Sequence, residues 1–371
     1  MALVAVLGAG NGGVTTAADL TLRGHTVRWW SRHGETLAEA RGAGGIALVA
    51  DGERRVALPA LVTEDLAEAL RGAEVVVVPL PATTHDDIAA RLAPLLTSEQ
   101  VVLLAPGTLG TYAMARAIAR AGGHLPFAIA ETATLPYLTR KSGVAEVKVA
   151  VRATNLPVGV FPADRTGATL TRLEALYPAI RPCVDALDAA LANAGPVIHP
   201  PLVLLNAGAI DGGRFDVHVT GTTPTIRRLI DAVDAERVAT RAGWGYPAPH
   251  YELATYYDEV RAAEGFYGAG ARARVAESGI FDETIGFDHR YVTEDVVLGL
   301  ALFESAARTV TVDTPAITGL LQIFGVLLAR RLGGDGRALE QLGLGDFALR
   351  EIRALLREGW TSPDWVRAIR A

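Results

Sequence analysis

A chain of 371 residues, half of them hydrophobic and a fifth charged, is long enough for two domains and can bury a sizeable core. Its net charge of −6, with no basic run, argues against a nucleic-acid surface. The one cysteine, Cys183, excludes an internal disulfide and fits a reducing compartment. No stretch approaches about 18 uninterrupted apolar residues, and the N-terminus has neither a basic region nor a cleavage site, so the expectation is a cytoplasmic protein with no membrane span.

The chain opens on Leu3-Val-Ala-Val-Leu7, an unbroken apolar run of the kind buried on both faces of a parallel sheet. Gly8-Ala9-Gly10-Asn11-Gly12-Gly13 follows and leads into a helix that runs to about Arg23. In a GxGxxG turn, Gly8 makes the tight bend, Gly10 lets the backbone approach a pyrophosphate, and Gly13 lets the helix lie close to the strand. The helix N-terminus then presents free N–H groups to the phosphates. Cofactor contacts are therefore expected at Gly8, Gly10, Asn11, Gly12 and Gly13.

A second strand, Thr26–Trp30, should end at the adenosine ribose. An NAD-preferring site usually has a carboxylate there, but this chain has Trp30-Ser31-Arg32-His33 and no acid until Glu35. Ser31 and Arg32 suit a 2′-phosphate, so NADP(H) is favoured over NAD(H). The alternative is that Arg32 is a solvated surface residue.

Further strands are expected within 46–62 around the turn Asp51-Gly52, at Val75–Val78, Val101–Leu104, Phe127–Ala130 and Val144–Val151, with helices at 34–42, 64–71, 83–96 and up to about Ala121. Pro79-Leu80-Pro81-Ala82 and Ala105-Pro106-Gly107-Thr108 lie at carboxyl ends of strands, where ligands bind. This alternation predicts an α/β fold, a Rossmann-type doubly wound parallel sheet over residues 1–179. Strand-like runs then nearly vanish. Helical patterns at 180–194, 200–210, 224–242, 247–262, 293–308, 314–332, 345–357 and 362–370 predict an all-α domain over residues 180–371. Cys183 would lie inside the first of these. Residues 264–288, rich in glycine and aromatics, read as a mobile loop over the site or a long connection. The apolar helices make a homodimer plausible.

Hydride chemistry needs a proton donor, and histidine titrates nearest neutral pH. His199 precedes Pro200-Pro201 and is expected at or beside a helix N-cap. Asn206, about two turns on, would share its face and bind substrate. The bland reading is a capping histidine. In Asp288-His289-Arg290-Tyr291-Val292-Thr293-Glu294-Asp295, the acids suit a helix start. The functional reading has Asp295 orienting His199 and holding it protonated, with Arg290 clamping a substrate carboxylate. No residue is assigned to a metal.

The chain resembles the octopine/nopaline (opine) dehydrogenases over nearly its whole length. The resemblance is carried by the glycine turn, Ala130-Glu131-Thr132-Ala133-Thr134-Leu135-Pro136-Tyr137, His199-Pro200 with Leu205-Asn206-Ala207-Gly208, Gly221-Thr222-Thr223-Pro224, Asp231…Asp234-Ala235-Glu236-Arg237, and Arg290 to Asp295. It implies reductive condensation of an α-keto acid with an amino acid or amine, the imine taking hydride from the nicotinamide. It implies His199 and Asp295 as the proton-transfer dyad, Asn206, Thr223, Arg290 and Tyr291 at the substrate, and Pro81 and Glu131 at the cofactor. The chain departs from the family at Phe215-Asp216-Val217-His218-Val219-Thr220, where an aromatic-rich stretch is expected; His218 would reshape the amine pocket, or is simply a half-exposed residue.

Two other readings stand beside this one. The first is a carbonyl reductase of a 2-keto acid or ketopantoate-like substrate. Such enzymes often use a lysine, but Lys141 and Lys148 are the only lysines and neither lies in the second domain. The second is a non-catalytic NADP(H)-binding sensor, which would have no need of a His–Asp pair.

Overall fold

The computed structural model describes residues 1–213, 215–281, 284–332 and 336–370. The described residues form twelve strands: β1 (Leu3–Leu7), β2 (Thr26–Trp30), β3 (Ile46–Ala50), β4 (Glu53–Ala57), β5 (Leu61–Thr63), β6 (Val75–Val78), β7 (Val101–Leu104), β8 (Ala128–Thr132), β9 (Tyr137–Gly143), β10 (Glu146–Arg152), β11 (Leu156–Phe161) and β12 (Ile180–Pro182). Eight make one sheet in the order β12-β11-β8-β7-β6-β1-β2-β5. All its neighbours are parallel except β11, which runs antiparallel to β8. The glycine turn joins β1 to helix α1 (Asn11–Leu22) at the middle of this sheet. Val4 to Leu7 are wholly buried, as their unbroken apolar run requires.

A second sheet, β4-β3-β10-β9, departs from the expected single sheet. Val144–Val151 reads as the last member of the parallel series, but β10 belongs here instead. Its residues alternate, with Val147, Val149 and Val151 inward and Glu146, Lys148 and Arg152 less buried. That period of two marks a strand with one covered face. The large sheet also continues through Pro182, and the helix expected at 180–194 is replaced by β12 and a short helix, Ala186–Leu191. Cys183 is therefore not helical; its N–H donates to Val158 O (2.9 Å) at the end of β12, and burial pushes its thiol up.

Beyond this point the fold is helical, with Gly195–Leu205, Pro224–Gly243, Ala301–Thr309, Pro315–Leu327 and Leu349–Glu358 as its longer members. Residues 247–262 do not form the expected helix. Pro247 and Pro249 remove donors, and only the short turns Leu253–Tyr256 and Ala262–Glu264 appear. Within 264–288, a helix (Ala271–Ser278) sits between left-handed Gly270 and Gly279. Val275 packs with Val151 of β10, and Lys148 Nζ donates to Ser278 O (3.0 Å). The C-terminal helix Trp365–Arg370 returns to the sheet-bearing half, where Arg116 donates to Ala368 O. Among the described residues no helix is long and apolar enough to cross a membrane.

The helix Ala186–Leu191 ties the sheet to the helical half through buried charge. Asp185 caps it and accepts the Tyr246 hydroxyl (2.9 Å); Asp188 meets Arg241 at 2.6 Å and accepts from Val184 N. Arg237, on the same long helix as Arg241, pairs with Asp234 (2.7 Å) and donates to Leu191 O. Removing one partner of a buried pair strands the other charge. Asp188→Ala is therefore expected to lower the unfolding free energy by about 3–5 kcal/mol, read from the denaturant midpoint. A loss below about 1 kcal/mol, the range of exposed pairs, would mean that the pair does not hold these helices together.

Candidate active site

Two cavities meet where the carboxyl ends of the central strands face the helical half. One is lined by Gly10, Asn11, Gly12, Pro79, Leu80 and Pro81, with His289 and Arg290 opposite. The other holds His199, His218, Tyr291 and Asp295 in a largely apolar wall. They share Pro106, Leu135, Arg290 and Glu294.

The first cavity fits a dinucleotide. Helix α1 has no side-chain cap and no acid in its first turn, so its orphan N–H groups open toward the cleft. A Cβ built on Gly10 meets nothing within 4 Å, whereas one on Gly13 would overlap the carbonyl oxygen of Gly8. Gly8 itself has φ +121°, a conformation glycine adopts freely. The Trp29 indole donates to Gly8 O (2.8 Å) and fixes the turn from β2. Asn11 accepts from Lys141 N (3.0 Å), joining the turn to β9. Pro81 lies in the cleft wall as expected.

Farther along, Ser31 is buried and its Oγ accepts from His33 N (3.2 Å). Arg32 is half-exposed, 3.4 Å from Asp87 and 3.0 Å from the His33 ring. An exposed pair at that distance is weak.

Glu131, expected at the cofactor, is wholly buried and lines neither cavity. Its carboxylate accepts from Leu109 N (2.8 Å) and Thr111 N (3.0 Å), holding the start of helix Gly110–Arg120. Burial pushes it up to about 7, and those N–H donors pull it down. Within its motif, Leu135 and Pro136 reach the cleft instead.

His199 does not stand at an N-cap. The helix begins at Gly195, with Pro196 in its first turn, and Asn193 Oδ1 accepts the Gly195 N–H (3.0 Å). His199 is thus near the middle of the helix, and Pro200 and Pro201 lie inside it. The His199 Nδ1 meets Asp295 Oδ2 at 2.7 Å. Tyr291 stacks flat on the imidazole, with centroids 3.7 Å apart, and its hydroxyl lies 3.0 Å from His218 Nε2. Burial pushes Asp295 up to about 7, while Arg290 and His289 draw it down. His218 is held well below its ordinary value by burial and by His199, Arg140, Arg290 and His289.

Two substrate assignments are not brought to the cavity. Asn206 ends the His199 helix and donates to Leu202 O (2.8 Å) and Gly221 O (3.2 Å). Thr223 caps helix Pro224–Gly243, accepting from Ile226 N. Their motif is a joint between helices. Arg290 and Tyr291 do line the cavity, and His218, the departure from the family pattern, is part of its wall.

Sequence reasoning passed over the residues that let the dyad form. Asp295 opens a π-helical turn, Asp295–Leu300, of the kind frequent at functional sites. A Cβ on Gly299 would overlap the ring of Pro196, and one on Gly195 would overlap Asp295 Oδ1. These glycines admit the two segments to contact, a need no local motif announces. Arg140, three residues beyond Tyr137 on β9, also reaches the cleft wall. Gly195→Ala should displace Asp295 and lower turnover about 10²-fold, the scale of a small misplacement, with cofactor affinity unchanged by fluorescence titration. Wild-type turnover in that variant would show that the dyad tolerates the shift.

Residues 182–328 match the family model described as NAD/NADP octopine/nopaline dehydrogenase, alpha-helical domain, and residues 4–136 that of ketopantoate reductase PanE/ApbA. A vitopine synthase of Allorhizobium ampelinum is 26% identical over 93% of this chain and 96% of its own. An octopine dehydrogenase in complex with NADH and agmatine superposes with TM-score 0.70 at 18% identity over 95% of this chain and 97% of its own. An NADP+-bound yersinopine dehydrogenase does so with TM-score 0.63 at 16% identity over 96% and 98%. These two show the shared fold. An opine dehydrogenase of Arthrobacter sp. strain 1C is 31% identical over 94% of this chain and 97% of its own. The chain belongs to the opine dehydrogenase family, NAD(P)-dependent oxidoreductases acting on a CH–NH bond.

Proposed function

We propose that this chain, with NADPH as preferred cofactor, reduces the imine formed between an α-keto acid and an amino acid of apolar side chain. His199 is the proton donor, Asp295 its partner, and Arg290 the clamp for the keto-acid carboxylate. The observation that carries the reading is the 2.7 Å His199–Asp295 contact in the lining of an apolar cavity that shares Arg290 and Glu294 with the dinucleotide cleft.

The nicotinamide, when bound, supplies the hydride. The residues supply the rest. An imine accepts hydride well once its nitrogen is protonated, and an acid poised near working pH is the best donor. Asp295 on Nδ1 orients the ring. Tyr291, stacked on the imidazole, prevents it from turning. Arg290 lines both cavities, so a carboxylate on its guanidinium lies at their junction. Leu135, Leu138, Ile198, Leu253, Phe266 and Phe281 support an apolar amine side chain. The octopine dehydrogenase structures hold pyruvate in one complex and L-arginine in another.

The test is NADPH oxidation with pyruvate, 2-oxoglutarate or glyoxylate, alone and with phenylalanine, methionine, leucine or arginine. Oxidation should require both partners, and the apolar amino acids should exceed arginine in kcat/KM by roughly 10-fold or more. Oxidation with a keto acid alone would support a carbonyl reductase instead. His199→Ala should lower turnover roughly 10²–10⁴-fold with cofactor binding retained; full activity would remove His199 from the mechanism. Reduction consumes the dyad's proton, so reductive kcat/KM should fall as pH rises through the pair's apparent pKa while the oxidative direction gains. With Asp295 lifted to about 7, its share of that profile lies near neutrality.

Cofactor preference rests on Arg32, whose exposed contact with Asp87 is easily exchanged for a 2′-phosphate. Arg32→Ala should raise KM for NADPH roughly 10- to 100-fold, the loss of one charge-assisted contact, and leave KM for NADH in place. Equal effects on both cofactors would refute the preference.

A further inference from the structure

One buried carboxyl at the junction of the two cavities has no part in the chemistry above. Glu294 is 3% exposed and lines both cavities. Its Oε1 accepts from Ala82 N (3.0 Å), in the turn after β6. Its Oε2 is buried and has no hydrogen-bond partner among the described residues. A buried acceptor without a donor is costly. The carboxyl cannot swing away to water, because Oε1 is held and the residue is enclosed. Ala82 is itself fixed, since its carbonyl accepts from the buried Arg337 (3.0 Å), which also donates to Thr108 O (3.3 Å).

We propose that Glu294 Oε2 accepts a hydrogen bond from the nicotinamide-nucleoside half of the cofactor, from its carboxamide NH2 or a ribose hydroxyl, and so fixes how that half sits at the junction. The inference rests on the reading that the cleft holds a nicotinamide dinucleotide. Ligands of such sheets lie at the carboxyl ends of the strands, where the Pro79–Pro81 turn lies beside Glu294. The end of the dinucleotide that must reach the cavity of His199 is the nicotinamide, and both donor types belong to that end. Burial, with Asp295 adjacent, pushes Glu294 up to about 7, and a ligand donor on Oε2 would favour its ionised form.

Glu294→Gln separates the alternatives. A glutamine keeps the size but offers one acceptor and one NH2. With its oxygen on Ala82 N it presents a donor to a donor; flipped, it loses Ala82. Binding of NADPH, its 3-acetylpyridine analogue and adenosine 2′,5′-bisphosphate is titrated by calorimetry on wild type and variant, with thermal shift as the folding check. NADPH should bind the variant roughly 10- to 100-fold more weakly, and the bisphosphate, which lacks the nicotinamide nucleoside, equally well. If the carboxamide is the donor, the analogue, with methyl for NH2, binds both proteins alike. If a ribose hydroxyl is the donor, the analogue weakens as NADPH does. Unchanged NADPH affinity overturns the proposal, as does an equal loss for the bisphosphate. Wild type that binds the bisphosphate but not NADPH refutes the cofactor reading itself. Glu294→Ala, which lacks both oxygens, must reproduce the selective loss should the glutamine variant unfold.

Discussion

The site depends on bringing a histidine and an aspartate to 2.7 Å inside a nearly dry wall. That approach is a backbone problem before it is a side-chain one. Two helical segments must pass closer than ordinary residues allow, and Gly195 and Gly299 are the places where a Cβ would prevent it. The π-turn contributes the other half. Leu298 and Gly299 N–H groups both turn to Glu294 O (2.9 and 3.0 Å), which widens the turn that carries Asp295. A buried carboxyl, lifted by desolvation, then lies directly against the imidazole.

The junction between the two halves is built on equally few contacts. Ala82 has its N–H on Glu294 and its carbonyl on Arg337, so one residue of the β6 turn is held on both sides by the helical half. Burial pushes the Arg337 guanidinium down, but Asp86, Glu131 and Glu294 support its charge. His85 beside it is driven down to about 3 by burial and by that same guanidinium, and stays neutral. The cleft and the cavity therefore share a rigid seam of buried charge, where loosely packed loops would let the reacting groups drift.

The first half of the fold was legible because its signals are local. The apolar run of β1, the glycine turn and α1 are decided within a short window of chain, and they formed as read. His199 and Asp295 were legible only through the order of motifs along the chain, since 96 residues separate them. What sequence could not supply was direction. Glu131, Asn206 and Thr223 stand in motifs of the right kind, yet Glu131 and Thr223 hold helix starts and the Asn206 amide donates to Leu202 O and Gly221 O. Side chains of this type cap helices and bind substrates with the same atoms, so composition does not separate the two uses. The second sheet was missed for a related reason. The alternation in β10 was visible, but its partner β3 lies about a hundred residues upstream, and register between such strands is a property of the folded molecule.

The electrostatics of the cavity finally bear on its substrate. Burial first, and then His199, Arg140, Arg290 and His289, press His218 toward the neutral form. Arg290 beside an apolar wall suits a ligand that combines anionic and apolar groups. The condensation of a keto acid with an amino acid yields such a molecule, with two carboxylates flanking one secondary amine. Neutral His218 then accommodates the apolar side rather than competing for the carboxylates, and its contact with Tyr291 braces the ring stacked on His199. His218 thus contacts Tyr291, which stacks on His199, while keeping its own charge out of the pocket.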